Sequence, residues 1–484
     1  MHSTDSYKTS PTPIASTLFI AILAGGAIGI AVANVNPILI FAGIIALLVS
    51  GVILFNIEIG LLVMLALTYS RTSDVLVHYY NAPSIAKPNI ALLLGAVIFQ
   101  WIFFMPPPRT WVKAAFLITA YGVVIFTSLF YAANFERASS AIGDYWKDGI
   151  IAVLIVMSMR SGKTLQRAVW TLIGLGVVLG TISVFQYLTG SFTNDFWGFG
   201  QASIKNIAGE TEGYRISGPI GDPNFFAQIM LVLFPISLVR FLDEKRLILR
   251  AIALWGTTVT LLTVIFTFSR GGFVSLIMIG VALFIFIRPR VTQMGLITLF
   301  LVLIAGIIPA TYTDRLLTIN LLFTSDQQQS VRQDVSFRGR ASEMAAAWMM
   351  FSDHPLVGVG AQNYPIYYQN YSRRIGLDPR TEERQAHNLF IEIASEMGLF
   401  GIFVFGTILV HVFQSLFQSW KRLRDAGEYV YSRIVMSIAT GVIGYFSASM
   451  FIHAAFPRYM WLLIGISFAI PHVTDVITGR EQDA

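Results

Sequence analysis

Three short stretches hold residue types that could do chemistry at a membrane edge. In QAHNLFIEIASEMGLFG, residues 385–401, His387 and Asn388 stand at the mouth of a long apolar run, with Glu392 and Glu396 just inside it. A neutral imidazole in reach of a hydroxyl can take its proton, and two carboxylates beside an apolar core need partners. At about 100° per residue His387, Ile391, Ala394, Gly398 and Gly401 would share one helical face, a stripe of mostly small residues for close packing. The competing reading has the His387 ring hydrogen-bonding loop backbone, with the two glutamates anchoring neighbouring helices.

The second stretch is FTFSRGGFVSL, residues 266–276, where Arg270 sits between apolar runs with Gly271 and Gly272 beside it. A guanidinium at a low-dielectric edge calls for an anion, and the glycines let backbone approach a ligand; the alternative is an arginine snorkelling to headgroups. The third is GYRISGPIGDPNFFAQ, residues 213–228. Asp222 before Pro223 is a helix start, a capping acceptor followed by proline at the first helical position. Arg215 precedes it, so backbone N–H groups and a cation could together hold an anion, unless Arg215 is only a loop anchor.

Other chemistries are poorly served. The chain has no cysteine, which removes disulfides, a thiolate nucleophile and cysteine-bound metal. His354, His387, His411 and His453 lack H-x-x-x-H spacing, so no metal site is expected, and no Walker or dinucleotide-binding glycine motif occurs. No cofactor is expected.

The elements that position these residues are membrane helices. Of 484 residues 55% are hydrophobic and only 12% charged, against roughly 25% in soluble domains. Mean hydropathy is +0.66. Apolar runs begin near residues 14, 37, 57, 89, 113, 149, 166, 223, 249, 271, 292, 387, 431 and 458, those at 57–70 and 149–159 being short. The expected class is an all-α polytopic membrane protein with about 12–14 transmembrane helices. With a cytoplasmic N-terminus, basic clusters such as Arg240/Lys245/Arg246/Arg250 and Lys421/Arg422/Arg424/Arg433 all fall inside. The net charge of +6 is then directed at lipid headgroups or a phosphorylated lipid substrate, not at nucleic acid, for which no soluble basic domain exists.

Two outer connections are long, residues 189–222 and 312–386. The resulting division is 1–188, N-terminal helices; 189–311, central helices with the first outer loop; 312–386, the large outer loop; and 387–484, C-terminal helices. RGRASEMAAAWMMF, Arg338–Phe351, predicts a helix in the large loop, and SDHPLVGVGAQNYP a tight irregular turn after it. The positive charges of this loop are all arginine, which forks onto phosphate or carboxylate.

Taken in order, FSRGG at Arg270, the G-R-x-x-x…W…hPl-x-GvG pattern at Gly339–Gly360 and HN…E-x-G-l-x-G at His387–Gly401 resemble the O-antigen ligase and O-antigen polymerase superfamily of bacterial envelope glycosyltransferases. The resemblance covers roughly residues 210–405. It implies a GT-C-like membrane glycosyltransferase of the bacterial inner membrane, its large helical loop and active site facing the periplasm. The implied donor is a glycan on undecaprenyl pyrophosphate, the acceptor a hydroxyl of lipid A-core or a growing glycan, and the transfer metal-independent and inverting. His387 would be the base, Arg215 and Arg270 the pyrophosphate ligands, and Asn388, Glu392 and Arg340 their support. Ligase and polymerase share donor chemistry and differ in acceptor. A transporter is a third reading, which predicts ionisable residues near the bilayer midplane and broken helices.

Overall fold

The computed structural model describes residues 50–208, 211–287, 335–376, 382–455 and 457–479, together with residues 295 and 306. The chain divides into two compact units, residues 1–56 and 57–484. Numbered over the described residues, the second unit opens with α1 (Ile57–Ser70), α2 (Thr72–Tyr80), α3 (Ala86–Phe103), α4 (Thr110–Thr127), α5 (Phe135–Ser158) and α6 (Gly162–Thr189). A hairpin of β1 (Gln201–Ala208) and β2 (Thr211–Gly218) leads to α7 (Pro223–Asp243), α8 (Leu247–Phe266) and α9 (Arg270–Ile287). Beyond come α10 (Val335–Asp353), α11 (Tyr364–Ile375), α12 (Leu389–Asp425), α13 (Tyr429–Ala448) and α14 (Pro457–Ile477).

Eight of these helices are long and apolar enough to cross a membrane, or nine if α1 and α2, bent by 56° about Arg71, form one span. They correspond to the runs near 89, 113, 166, 223, 249, 387, 431 and 458, with the bent pair at 57. The runs near 14, 37 and 292 lie outside the described residues. The short run at 149 is the apolar half of α5, whose first half carries Glu136, Arg137, Asp144, Lys147 and Asp148. Helix starts follow local chemistry: Asn134 accepts from Arg137 N, Ser161 from Thr164 N, and Asp222 from the amides of Asn224 and Phe225 ahead of Pro223.

Burial separates centre from rim. The apolar windows of α7, α14 and α13 are 83%, 78% and 72% buried, that of α3 only 22%, with Ile102, Phe103 and Phe104 turned outward. Two ends result. At one, Arg240 meets Glu244, Arg433 meets Asp243 and Arg422 meets Asp475, which gathers the basic clusters. At the other, the starts of α5, α7, α9, α12 and α14 converge with the ends of α1 and α13: Tyr459 Oη reaches Tyr69 O at 3.1 Å, and Leu389 N reaches Ser449 O at 2.9 Å.

The helical architecture agrees with the all-α expectation, and one short hairpin occupies the first long connection. Its antiparallel register pairs Ser203 with Arg215 and Ile204 with Tyr214. Gly218, at φ +54°, lets β2 turn against the Phe226 ring, which an added Cβ would meet at 2.4 Å.

Candidate active site

The large loop is pinned to the bundle through a break in α12. At Gly398 the backbone leaves helical geometry (φ 60°, ψ −155°). Residues 355–360 enter the gap. Val359 N donates to Ser395 O and Gly360 N to Glu396 O, both at 2.9 Å, while Leu399 N donates to Pro355 O at 2.8 Å and Phe400 N to Leu356 O at 3.3 Å. Gly358 and Gly398 face each other's chains so closely that a Cβ on either would lie 2.3–2.4 Å from backbone. The one-face stripe drawn through Gly398 is therefore corrected: the glycine interrupts the helix and admits a loop.

His387 is not on that helix either. It precedes the Asn388 cap with a left-handed backbone, φ 49°, an uncommon state for a residue with a side chain. Asn388 Oδ1 accepts from Phe390 N at 2.9 Å and Ile391 N at 3.2 Å, so its side chain caps α12. The His387 ring points its Nδ1 at Gln385 O, 3.0 Å away, and at Glu343 Oε2, 2.9 Å away. The carbonyl contact has hydrogen-bond geometry; the carboxylate contact has the distance of an ion pair without that direction. Both neighbours are acceptors, so Nδ1 carries the proton and Nε2 keeps the lone pair.

Glu343 comes from α10, its side chain 4% exposed, and α10 is fixed to α11 by Tyr364 Oη donating to Glu343 O at 2.7 Å. Arg340 lies one turn earlier on α10, half-buried. Outside the membrane, Tyr371 Oη and Arg374 both bind Asp353 and hold its carboxyl below the usual range. Glu392 accepts from Ala454 N at 2.8 Å; Glu396 accepts from Gln362 N at 2.8 Å and Tyr364 N at 3.1 Å, tying the loop and the start of α11 to α12.

On the other side stand the arginines. Arg215, 3% exposed, reaches inward from β2, its Nε donating to Thr267 O at 2.7 Å and its Nη2 to Asn224 Oδ1 at 3.1 Å. Phe268, at φ 52°, makes the turn between Thr267 and Arg270, which opens α9. Arg215 thus touches the first turn of α7 and the turn that sets Arg270. The anchor and anion readings are not exclusive: Arg215 is tied to both and is part of that corner.

His453 joins the two sides. In the connection between α13 and α14, its ring lies 5.4 Å from that of His387 and edge-on to Phe225 at 5.2 Å. Burial, with His387 beside it, lowers its pKa to about 4, so it is neutral at pH 7. His453, Glu343 and the left-handed His387 were missed by sequence reasoning. A histidine in a connection of eight residues between two spans was the available sign for the first; nothing in the sequence marks Glu343.

Beyond His453 opens a cavity of about 620 Å³ between α1, α2, α5, the start of α14, the large-loop residues Gln362, Pro365 and Gln385, and Glu392 and Glu396 of α12. Arg71, Arg137 and Arg458 line it, each paired with a carboxylate: Arg71 with Asp74 at 2.9 Å, Arg137 with both oxygens of Glu383 at 2.9 Å, and Arg458 with Asp148 at 3.0 Å. Among the described residues no three of His, Asp and Glu gather as metal ligands.

The arrangement sets a proton acceptor between an arginine corner and a polar cavity. Residues 255–406 match the family model described as O-antigen ligase, a segment that begins within α8 and takes in α9 with Arg270, α10, α11 and His387. No curated protein matches the chain. The outer-loop helices and the break in α12 fall inside the matched segment, so the part of the chain that builds this site is the part similar to the O-antigen ligase family.

Proposed function

We propose that the protein transfers a glycan from undecaprenyl pyrophosphate to an acceptor hydroxyl, at the outer leaflet of the bacterial inner membrane, as a ligase with a lipid A-core or similar acceptor. The observation that carries this reading is the histidine: the Gln385 carbonyl accepting from Nδ1, with the Glu343 carboxylate beside it, leaves Nε2 of His387 to take a proton. In the step proposed, the acceptor oxygen bonds the anomeric carbon while its proton passes to His387 Nε2. The bond from that carbon to the pyrophosphate oxygen breaks, and the lipid pyrophosphate leaves with the electron pair. Attack from the face opposite the leaving group inverts the anomeric centre.

Charge develops on the leaving oxygen, and Arg215 and Arg270 beside the first turns of α7 and α9 are suited to neutralise it. Asn388 and Glu392 hold the start of α12, and Arg340 shares a helix with the carboxylate on His387. The basic clusters gather at the opposite end of the bundle, which supports an active site on the periplasmic side.

The test is reconstitution with a defined undecaprenyl-pyrophosphate glycan, assayed separately with lipid A-core and with a second donor molecule. Transfer to the core is expected. Chain extension instead would make the protein a polymerase using the same donor half. His387→Ala should lower transfer roughly 10²- to 10⁴-fold, and unchanged transfer would refute the mechanism.

A further inference from the structure

The 620 Å³ cavity has the size of a small-molecule site, and its charge is at odds with the rest of the molecule. The whole chain is +6, yet three guanidinium groups face five carboxylates in this lining. Two of the five, Glu392 and Glu396, lie on α12; with both protonated the count is still only three against three. Paired as they are with Asp74, Glu383 and Asp148, the arginines present guanidinium and carboxylate edges side by side, not net positive charge. Such edges donate to and accept from neighbouring hydroxyls, and a phosphate gains nothing from a surface with no positive excess.

A second observation points the same way. A smaller cavity of about 120 Å³ shares Gln362, Glu392, Glu396, Ala454 and Pro457 with the first and carries Tyr121, Tyr145 and Trp461 in its lining. Those three rings pack with centroids 5.2–5.8 Å apart. The rings are only 1–6% exposed, so what they offer beside the paired polar edges is a narrow apolar wall, which suits the face of a ring that has a rim of hydroxyls.

We infer that this cavity holds the terminal sugars of the acceptor, and that it selects uncharged glycan over phosphorylated glycan. This rests on the transfer reading for the word acceptor, but the binding claim is separable. His453 lines the cavity and packs on Phe225, next to the Asn224 that Arg215 holds, and its ring lies 5.4 Å from that of His387, so the cavity reaches the imidazole pair from the side away from Arg215.

The experiment uses the full chain in lipid nanodiscs. Its probes are a panel of uncharged oligosaccharides of two to four sugars and the same panel bearing one phosphate, followed by ligand-observed saturation-transfer NMR. The uncharged panel should give the stronger signal. Asp144→Lys, at a half-exposed lining position, should invert the preference by about ten-fold, the scale of one partly screened charge contact. Stronger binding of the phosphorylated panel to the wild type, binding of neither, or no change in Asp144→Lys would each overturn the assignment. Release of undecaprenyl pyrophosphate is measured in parallel. Lost release with the NMR preference intact overturns the transfer reading alone; retained release without the preference overturns the cavity assignment alone.

Discussion

Gly398→Ala tests whether the loop at residues 355–360 is locked into α12. The alanine Cβ would lie 2.4 Å from both the carbonyl carbon and oxygen of Leu356 and 2.6 Å from Val357 N, all backbone, so no side-chain tip can swing aside. The φ of 60° and ψ of −155° belong to a region that is nearly glycine-only, worth about 1–3 kcal/mol of strain for any other residue. If the loop backs out to relieve the clash, four backbone hydrogen bonds go, each worth about 0.5–1.5 kcal/mol. The sum is at least about 3 kcal/mol of local stability, or about a hundred-fold in opening equilibrium. Hydrogen exchange in nanodiscs should therefore speed up by that factor at Val359, Gly360, Leu399 and Phe400. Gly406→Ala is the control: the same helix, helical backbone and open space around an added Cβ, so exchange at those four amides should not rise. Wild-type exchange rates at the four amides in Gly398→Ala would refute the locked-loop account.

Other outcomes rest on the same geometry. Glu343→Gln should lower kcat about ten- to a hundred-fold and alter its pH profile while leaving donor KM in place, because the amide can also face its NH₂ to Nδ1 and favour the wrong tautomer; an unchanged pH profile would refute the pairing. Arg215→Lys should cost about 1.5–3 kcal/mol, read as a comparable loss in stability or donor affinity, since one ammonium cannot span Thr267 O and Asn224 Oδ1 as the guanidinium does. His453 is held neutral in the fold at about pKa 4, against 6.5 for the free side chain, so between those values the unfolded chain binds the extra proton. Its contribution is complete above pH 6.5 and falls away as pH drops toward 4, by up to about 3 kcal/mol; thermal melts of His453→Gln should lose that acid-side slope.

What was legible in the sequence was whatever depends on neighbours in the chain. Asp222-Pro223 announces the start of α7, and the Ala- and Met-rich run from Arg338 to Phe351 lies within α10. Helix α11 was hidden because YPIYYQNYSRRI has four tyrosines, an asparagine and a serine, middling to poor helix formers whose helix is held by Glu396 from α12. The break at Gly398 was misread as a packing stripe because its cause lies about forty residues upstream, in a loop whose carbonyls replace helical partners. His387, Arg215 and Arg270 could be proposed as site residues from residue type. Glu343 and the cavity arginines could not, since Arg71 and Arg458 line one cavity only when α1 packs on α14, as Tyr69 and Tyr459 do at 5.3 Å.

The interruption at Gly398 also has a mechanical meaning. Residues 399–425, at 1.5 Å per residue, form a rod about 40 Å long whose end, Lys421–Asp425, is charged, so its apolar part is close to the roughly 30 Å of a hydrocarbon core and leans as that thickness changes. Were α12 continuous, every change in that lean would swing Asn388 and the adjoining imidazole through an arc. The two pieces instead meet at a joint clasped by the loop, and the short piece, residues 389–397, is bonded to Ser449, Ala454 and the loop amides. The corner around Asn388 and His387 is thereby suspended from its neighbours rather than carried on the long rod, and membranes of different thickness should leave its alignment unchanged.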